Sequence, residues 1–389
     1  MTGCWLTLVC LALSQTGSPK PVRFATFNVQ EMSLKKLSET DAKGRGTNLQ
    51  LKRAAAAIQA IRPDVLLLNE IDGYVPGRTE SPPNLFLERY LRHSQFGETP
   101  IDFPHLFYRE SNTGEPTGID MNGDGKKDGP EDAFGFGRYP GEYGMALYSR
   151  FPIDHEKART FRLLRWKTMP DHLVPDGEDG RPKFYGKQQV DVFRLSSKSH
   201  WDVPIVVNGV TIHVLACHPT PPIFDGPEDR NGRRNFDELR LLRDYLTGGA
   251  EASYIKDDQG RIGGLDPAAK FVILGDLNAD PVRYEAPYGT PPIHMILKHP
   301  RAYDPRPRSQ GAREDEKSPP LRDFREFKTS HFGRIDYVLP SKGLRVIESK
   351  VFWPAKREPH YDWFATPDPA SDHRPVWADV EVAPPSAGR

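Results

Sequence analysis

The 389-residue chain is short of cysteine, carries no excess of either charge, and holds no apolar run long enough to cross a bilayer. Its cysteines are Cys4, Cys10 and Cys217. If the N-terminal segment is removed, Cys217 stands alone and no intrachain disulfide is possible. Cys217 closes the apolar run VTIHVLAC and reads as a small buried core residue rather than a nucleophile. Lys+Arg and Asp+Glu both number 53, giving a formal net charge of +0. A protein that grips duplex nucleic acid mainly through its phosphates is basic overall or carries a basic stripe. The balance speaks against a dedicated DNA-binding protein and leaves only a local patch open.

One apolar run does stand out, residues 4–13 (CWLTLVCLAL), followed by Ser14, Gly17, Ser18 and Pro19. It is too short to span a membrane and reads as the core of a signal peptide over residues 1–18. No Lys or Arg precedes it, so an uncleaved N-terminus is the competing reading. A secreted or periplasmic monomer without stable membrane insertion is expected. A hydrophobic content of 37% supports a substantial core, and 38 prolines with 33 glycines predict many loops.

The pattern alternates strand-like runs with a few helices. Val22–Val29, Asp64–Ile71, 143–150, Phe271–Leu274, Ile335–Leu339, Arg345–Trp353 and Pro375–Val382 read as strands. The run DVLLLNEI is nearly continuous in apolar residues, as in a strand buried on both faces. Pro204–Val207 and Val210–Ala216 flank Asn208-Gly209, a type I′ hairpin signal. Helices are expected over Asn48–Arg62, Pro83–His93 and Asn235–Leu246. An α/β layered domain over 20–384 follows, with loop-rich insertions near 73–142, 165–202 and 282–330.

Polar residues collect where these strands end: Asn28, Glu70, His218, Asp276 and Asn278, Asp336, and Asp372-His373. Strand ends on one sheet edge are where α/β proteins place their sites. Carboxylates and amide oxygens without cysteine suit a hard cation such as Mg2+ or Mn2+. Histidines beside carboxylates suit proton transfer. Each residue alone is better explained as a turn or a solvated loop; the local wording changes that.

FATFNVQ, VLLLNEID, VILGDLNADP, GRIDYVLPS and SDHRPVWADVEV occur in this order from about Arg23 to Val382. Together they resemble the endonuclease/exonuclease/phosphatase superfamily, the GDLN and SDHRP segments most specifically. The resemblance implies a four-layer α/β sandwich, deoxyribonuclease-like, with two packed mixed sheets flanked by helices. It implies a divalent-metal-dependent hydrolase of phosphoester bonds. Asn28, Glu70 and Asp372 would belong to the metal site. Asp276 would orient or deprotonate the attacking water, and Asn278 would hydrogen-bond the scissile phosphate. His373 would contact that phosphate as general acid or base, with Asp336 holding its imidazole, and His218 would flank the phosphate on its other side. Zero net charge favours a small or non-duplex phosphoester as substrate; a secreted nuclease acting on DNA or RNA is the alternative.

Two further features are local. Asp120, Asn122, Asp124, Lys126, Asp128 and Glu131 fall on the twelve-residue calcium-loop spacing, with Gly125 at its sixth position. The flanks are not helical, so a Ca2+-stapled loop inside an insertion is expected; a polar surface loop is the plainer reading. A non-catalytic calcium-binding extracellular module would use this loop but leaves the five strand-end segments unexplained. Arg230 and Arg233 lie in a stretch following His218, where a loop would place an arginine on a substrate phosphate; a solvated loop leading into the next helix is the competing reading. Ser196–Trp201 brings Lys198 and His200 to a loop that would line the same cleft.

Overall fold

The computed structural model describes residues 20–384 apart from 179, 181–182, 283–288 and 316–321; the expected signal peptide, residues 1–18, lies outside the described residues. Its strands are β1 Val22–Met32, β2 Val65–Ile71, β3 His105–Phe107, β4 Gly144–Ser149, β5 Arg159–Thr160, β6 His200–Val207, β7 Val210–Cys217, β8 Lys270–Asp276, β9 Asp336–Pro340, β10 Arg345–Val351 and β11 Val376–Glu381. They pair in the order β10-β11-β1-β2-β4-β3 in one sheet and β5-β6-β7-β8-β9 in the other. Both sheets are mixed. β1 and β2 are parallel, as are β7 and β8, and the other pairs within the sheets are antiparallel.

Side-chain alternation sorts the strands into layers, because successive residues of a strand face opposite ways. In β2, Val65 and Leu67 join a cluster shared with Val214, Val272 and Leu274 of the other sheet. Leu66 and Leu68 turn the other way and pack with Leu51, Ala54, Ala55 and Ile58. In β8, Val272 and Leu274 face the first sheet, while Phe271 and Ile273 pack with Leu239 and Leu242. The two sheets therefore bury one face against each other and the opposite face beneath helices. This is the four-layer α/β sandwich.

The two parallel crossovers are among the covering helices. Leu49–Ile61 carries β1 to β2; Asn48 caps it by accepting from the Leu51 amide, and Arg62 ends it in the left-handed conformation. Arg230–Thr247 carries β7 to β8. It starts five residues before the expected Asn235, so Arg230 and Arg233 sit in its first turns rather than in a loop. The expected Pro83–His93 helix is a short α-helix, Pro82–Phe86, that widens into a π-helical turn over Leu87–Leu91. The β6–β7 hairpin turns at Asn208 (φ 52) and Gly209 (φ 78), as type I′ geometry requires. The loop-rich 165–202 stretch contributes Trp166, Tyr185, Phe193 and Leu195 to the core beneath the second sheet. Among the described residues no helix is long and apolar enough to cross a membrane.

Leu274 is fully buried between the sheets. Leu274→Ala should cost about 2–5 kcal/mol, the range for a leucine truncated in a packed core. Ile347→Ala, at a position 45% exposed, should stay within about 0.5 kcal/mol. Urea unfolding of both variants checks the layer assignment; equal losses would contradict it.

Candidate active site

The register of the two sheets brings the strand-end polar residues to one edge. Asp276 ends β8 and pairs directly with Asp336, the first residue of β9. His218 follows β7, the parallel neighbour of β8. In the other sheet β1 runs beside β11, with Thr26 opposite Val376, so Asn28 and the Asp372-His373 step meet at that end. Glu70 stands beside Asn28 on β2.

Asp276 is the hub, 1% exposed. Asn28 Nδ2 donates to its Oδ2 at 3.0 Å, across from one sheet to the other. The Asn278 amide donates to its Oδ1 at 2.9 Å. His218 Nε2 lies 3.5 Å and His373 Nε2 3.8 Å from the same Oδ2. Asn28 Nδ2 also donates to Glu70 Oε1 at 3.0 Å, and Asn28 Oδ1 accepts from the Gln30 amide at 3.0 Å, which fixes which end of the side chain faces the carboxylates.

His373 Nδ1 is 2.9 Å from Asp336 Oδ2. That oxygen also accepts from Thr329 Oγ1 at 2.6 Å, while Thr329 Oγ1 in turn accepts from the Asp336 amide at 3.0 Å. Thr329 thus fixes the carboxylate that fixes the imidazole. Among the described residues, Asp276, Asp336 and His373 form the group of three acidic or histidine side chains whose ligand atoms lie within 4.8 Å of one another. Such a group is able to hold a metal ion. Asp336 Oδ1 is buried without a partner, as a further oxygen ligand would be. Glu70 and Asp372 are half-buried beside it, and the Asp372 amide donates to Gln30 Oε1 at 3.1 Å. Oxygen donors dominate the edge, which suits a hard divalent cation.

The backbone around these groups is strained in a consistent way. Gln30, Glu31, Glu70 and Asn278 all have positive φ. The β1–β2 and β2–β4 registers both slip next to Asn28 and Glu70. A slip of this kind re-aims side chains that simple alternation would bury. Gly275 has φ +153, and a Cβ there would fall 2.0 Å from the Cys217 carbonyl oxygen, so only glycine lets β8 pass this close to the strand that delivers His218.

The two histidines are driven in opposite directions. Burial opposes a charge on His373, but the carboxylates of Asp336 and Asp276 outweigh it and raise its pKa well above the ordinary histidine range. Burial, then the positive charges of Lys198 and His373, push His218 well below that range. His218 is therefore neutral near pH 7 and His373 an imidazolium. Burial also raises Asp276, with His373 opposing and Asp336 adding. The carboxylates of Asp336 and Asp276 thus favour a proton on His373.

The other expected residues are placed as follows. Asn278 Nδ2 donates to the Pro219 carbonyl at 3.1 Å, joining the loop after His218. Arg230 is taken up by Glu228 and stacks over the Phe184 ring at 4.5 Å. Arg233 is 1% exposed. In the 120–131 loop, Asp120 accepts from the Gly123 and Gly125 amides at 2.6 and 2.8 Å, Asn122 from Asp124 and Asp124 from Lys126. The carboxylate that closes the loop is Asp132, which accepts from the Met121 and Gly129 amides at 2.8 and 2.9 Å; Glu131 is exposed. Thr329, Asn69, whose Oδ1 accepts from the Asp276 amide at 3.2 Å, and Glu238 are site supports that no sequence pattern announces.

A model of the Endonuclease/Exonuclease/phosphatase family matches residues 25–373. No curated protein matches the chain. Among solved structures, an endonuclease/exonuclease/phosphatase from Beutenbergia cavernae DSM 12333 superposes with a TM-score of 0.51 at 18% identity, covering 94% of this chain and 72% of that one. A family protein from Leptotrichia buccalis C-1013-b aligns at 16% identity over 93% and 100% of the two chains, TM-score 0.46. A mannosyl-6-phosphatase from Bacteroides thetaiotaomicron VPI-5482 aligns at 12% identity over 92% and 99%, TM-score 0.46. The family match takes in most of β1, both crossover helices and every strand-end polar residue from Asn28 to His373, and on that span the chain belongs to the endonuclease/exonuclease/phosphatase family.

Proposed function

We propose that the chain is a divalent-metal-dependent hydrolase of phosphoester bonds that works outside the cytoplasm on a small or non-duplex phosphoester. The observation that carries this reading is the seat of Asp276, a buried carboxylate with His218 and His373 both within 4 Å of one of its oxygens and tied to Glu70 through Asn28. Glu70, with Asn28 and Asp372 beside it, would hold Mg2+ or Mn2+. When bound, the cation supplies charge neutralisation on the phosphoryl oxygens. Asp276, held by Asn28 and the Asn278 amide, orients the attacking water and takes its proton. His373 donates to the phosphoryl group or the leaving oxygen from Nε2, its Nδ1 kept on Asp336. His218, neutral, offers a hydrogen bond on the other side, and Asn278 contributes another. Arg230 and Arg233 remain proposed substrate contacts, Arg230 on release from Glu228. Zero net charge supports the choice of a small substrate over a duplex.

The test is hydrolysis by residues 20–389 with Mg2+, Mn2+, Ca2+ or EDTA, on a chromogenic phosphodiester, a phosphomonoester and plasmid DNA in parallel. Activity is expected with Mg2+ or Mn2+ and none with EDTA. Asp276→Ala should lower kcat by about 10³ or more, as loss of a group that acts in concert with its partners does, with circular dichroism unchanged. An active Asp276→Ala variant would remove the assignment. Cleavage of plasmid together with the diester would make the protein a nuclease.

The proposal includes Ca2+ at the 120–131 loop. Its support is the preset turn, in which Asp120 already gathers two backbone amides, and the clasp of Asp132 at its ends. Calorimetric titration should show binding with Kd on the order of 10⁻⁴–10⁻³ M, the range of extracellular modules, and Asp120→Ala should abolish it. No heat from the parent protein at millimolar Ca2+ would reduce the segment to a polar turn.

A further inference from the structure

Lys198 is 6% exposed and lies two residues before β6. The β6–β7 ladder pairs His200 with Cys217 at the catalytic edge. Continued in that register, Lys198 stands abreast of the His218-Pro219 step, whose Pro219 carbonyl accepts from Asn278. The backbone here is pinned. The Lys198 carbonyl accepts from the Asn112 amide at 2.9 Å. The fully buried Glu238 accepts from the Ser197 amide through Oε1 at 2.8 Å and from the Thr220 amide through Oε2 at 2.6 Å. One carboxylate thereby locks the loop that carries Lys198 onto the loop that follows His218.

The opposite charges that bear on the Lys198 ammonium are, in order, Glu238, Glu70 and Asp276; Arg234 is the like charge, and His218 in turn feels Lys198. None of those carboxylates holds it in a hydrogen bond or ion pair among the described residues, and each oxygen of Glu238 accepts from a backbone amide. A buried ammonium left without a close counter-ion is costly, and a fold gains nothing in stability by keeping it. An anion arriving at the edge would complete it. Lysine is suited to that task as a compact point charge with three donors.

We propose that Lys198 donates from Nζ to a non-bridging oxygen of the phosphoryl group being hydrolysed, beside His218. The inference rests on the phosphoesterase reading above and adds a residue to it. The ammonium then neutralises charge that builds in the transition state and keeps His218 in its neutral form. Burial holds the lysine below its usual pKa against the pull of the carboxylates; a bound phosphate restores the balance in favour of the charged amine.

The experiment pairs Lys198→Met and Lys198→Arg with the parent chain. Hydrolysis of the chromogenic diester is measured with metal, binding of inorganic phosphate by calorimetry in EDTA, and thermal stability alongside. Lys198→Met should lose about 10²–10³-fold in kcat/KM, as removal of one preorganised charge donor does, and about tenfold or more in phosphate affinity, with no fall in melting temperature. Lys198→Arg should recover part of both. A Lys198→Met protein that melts lower but keeps kcat/KM and phosphate affinity within about twofold overturns the proposal and makes Lys198 a counter-charge for Glu238. Should that variant not fold, a crystal of the parent protein soaked in phosphate decides: Nζ within hydrogen-bond distance of the anion supports the proposal, an anion at the edge bound without Nζ overturns it. An inert parent protein indifferent to Asp276→Ala would instead sink the phosphoesterase reading, and this proposal with it.

Discussion

The bond from Asn28 to Asp276 is the constraint on which the site depends, because it crosses from one sheet to the other. A buried carboxylate must have its oxygens satisfied or it takes up a proton. Here one oxygen is satisfied from β1 and the other from the turn after β8. The two bonds reach the carboxylate from different sheets. The packing of Val65, Leu67, Val272 and Leu274 between the sheets therefore does two things: it drives folding, and it sets the distance at which Asn28 can reach Asp276. Strain at Glu70 and Asn278 is the local cost of turning strand-end side chains towards that meeting point.

Much of this was legible in the sequence, for identifiable reasons. Strands such as DVLLLNEI announce themselves because burial on both faces forbids polar residues until the strand ends, and the first polar residue past the core is then conspicuous. Glu70 and Asp276 are found this way. The start of the second crossover helix was hidden, because Arg230, Asn231 and Gly232 read as loop; it is held by the Asn231 amide on Asp225 and by Asp229, whose carboxylate occupies the space a Cβ on Gly232 would need. Pro83–His93 carries a helical pattern that does not disclose the π-helical turn within it. Thr329 and Glu238 were invisible for a different reason. Each acts through a contact with chain distant in sequence or with backbone amides, and neither interaction leaves a periodicity.

The 120–131 loop has a closure that its residue spacing does not announce. The spacing singles out the side chains that a calcium loop would use, and Asp120 does organise the turn by gathering amides. Yet the carboxylate that joins the two ends is Asp132, one residue beyond the pattern, buried and bonded to Met121 and Gly129. The clasp is a matter of chain closure, which twelve-residue spacing does not describe.

The sharpest feature of the site is that two histidines within 4 Å of one carboxylate oxygen end in opposite states. Burial disfavours a charge on both. What separates them is the second neighbour. His373 has Asp336 at 2.9 Å, itself fixed by Thr329; His218 has Lys198 and His373 as positive charges and a buried Nδ1 without a partner. Titratable groups whose surroundings push their pKa values apart are the mark of divided acid and base roles. The division here is made by Asp336 and Thr329 on one flank and by a lysine on the other. The same oxygen of Asp276 therefore faces one imidazole whose surroundings favour a proton and one whose surroundings oppose it, and that asymmetry is built by the fold alone.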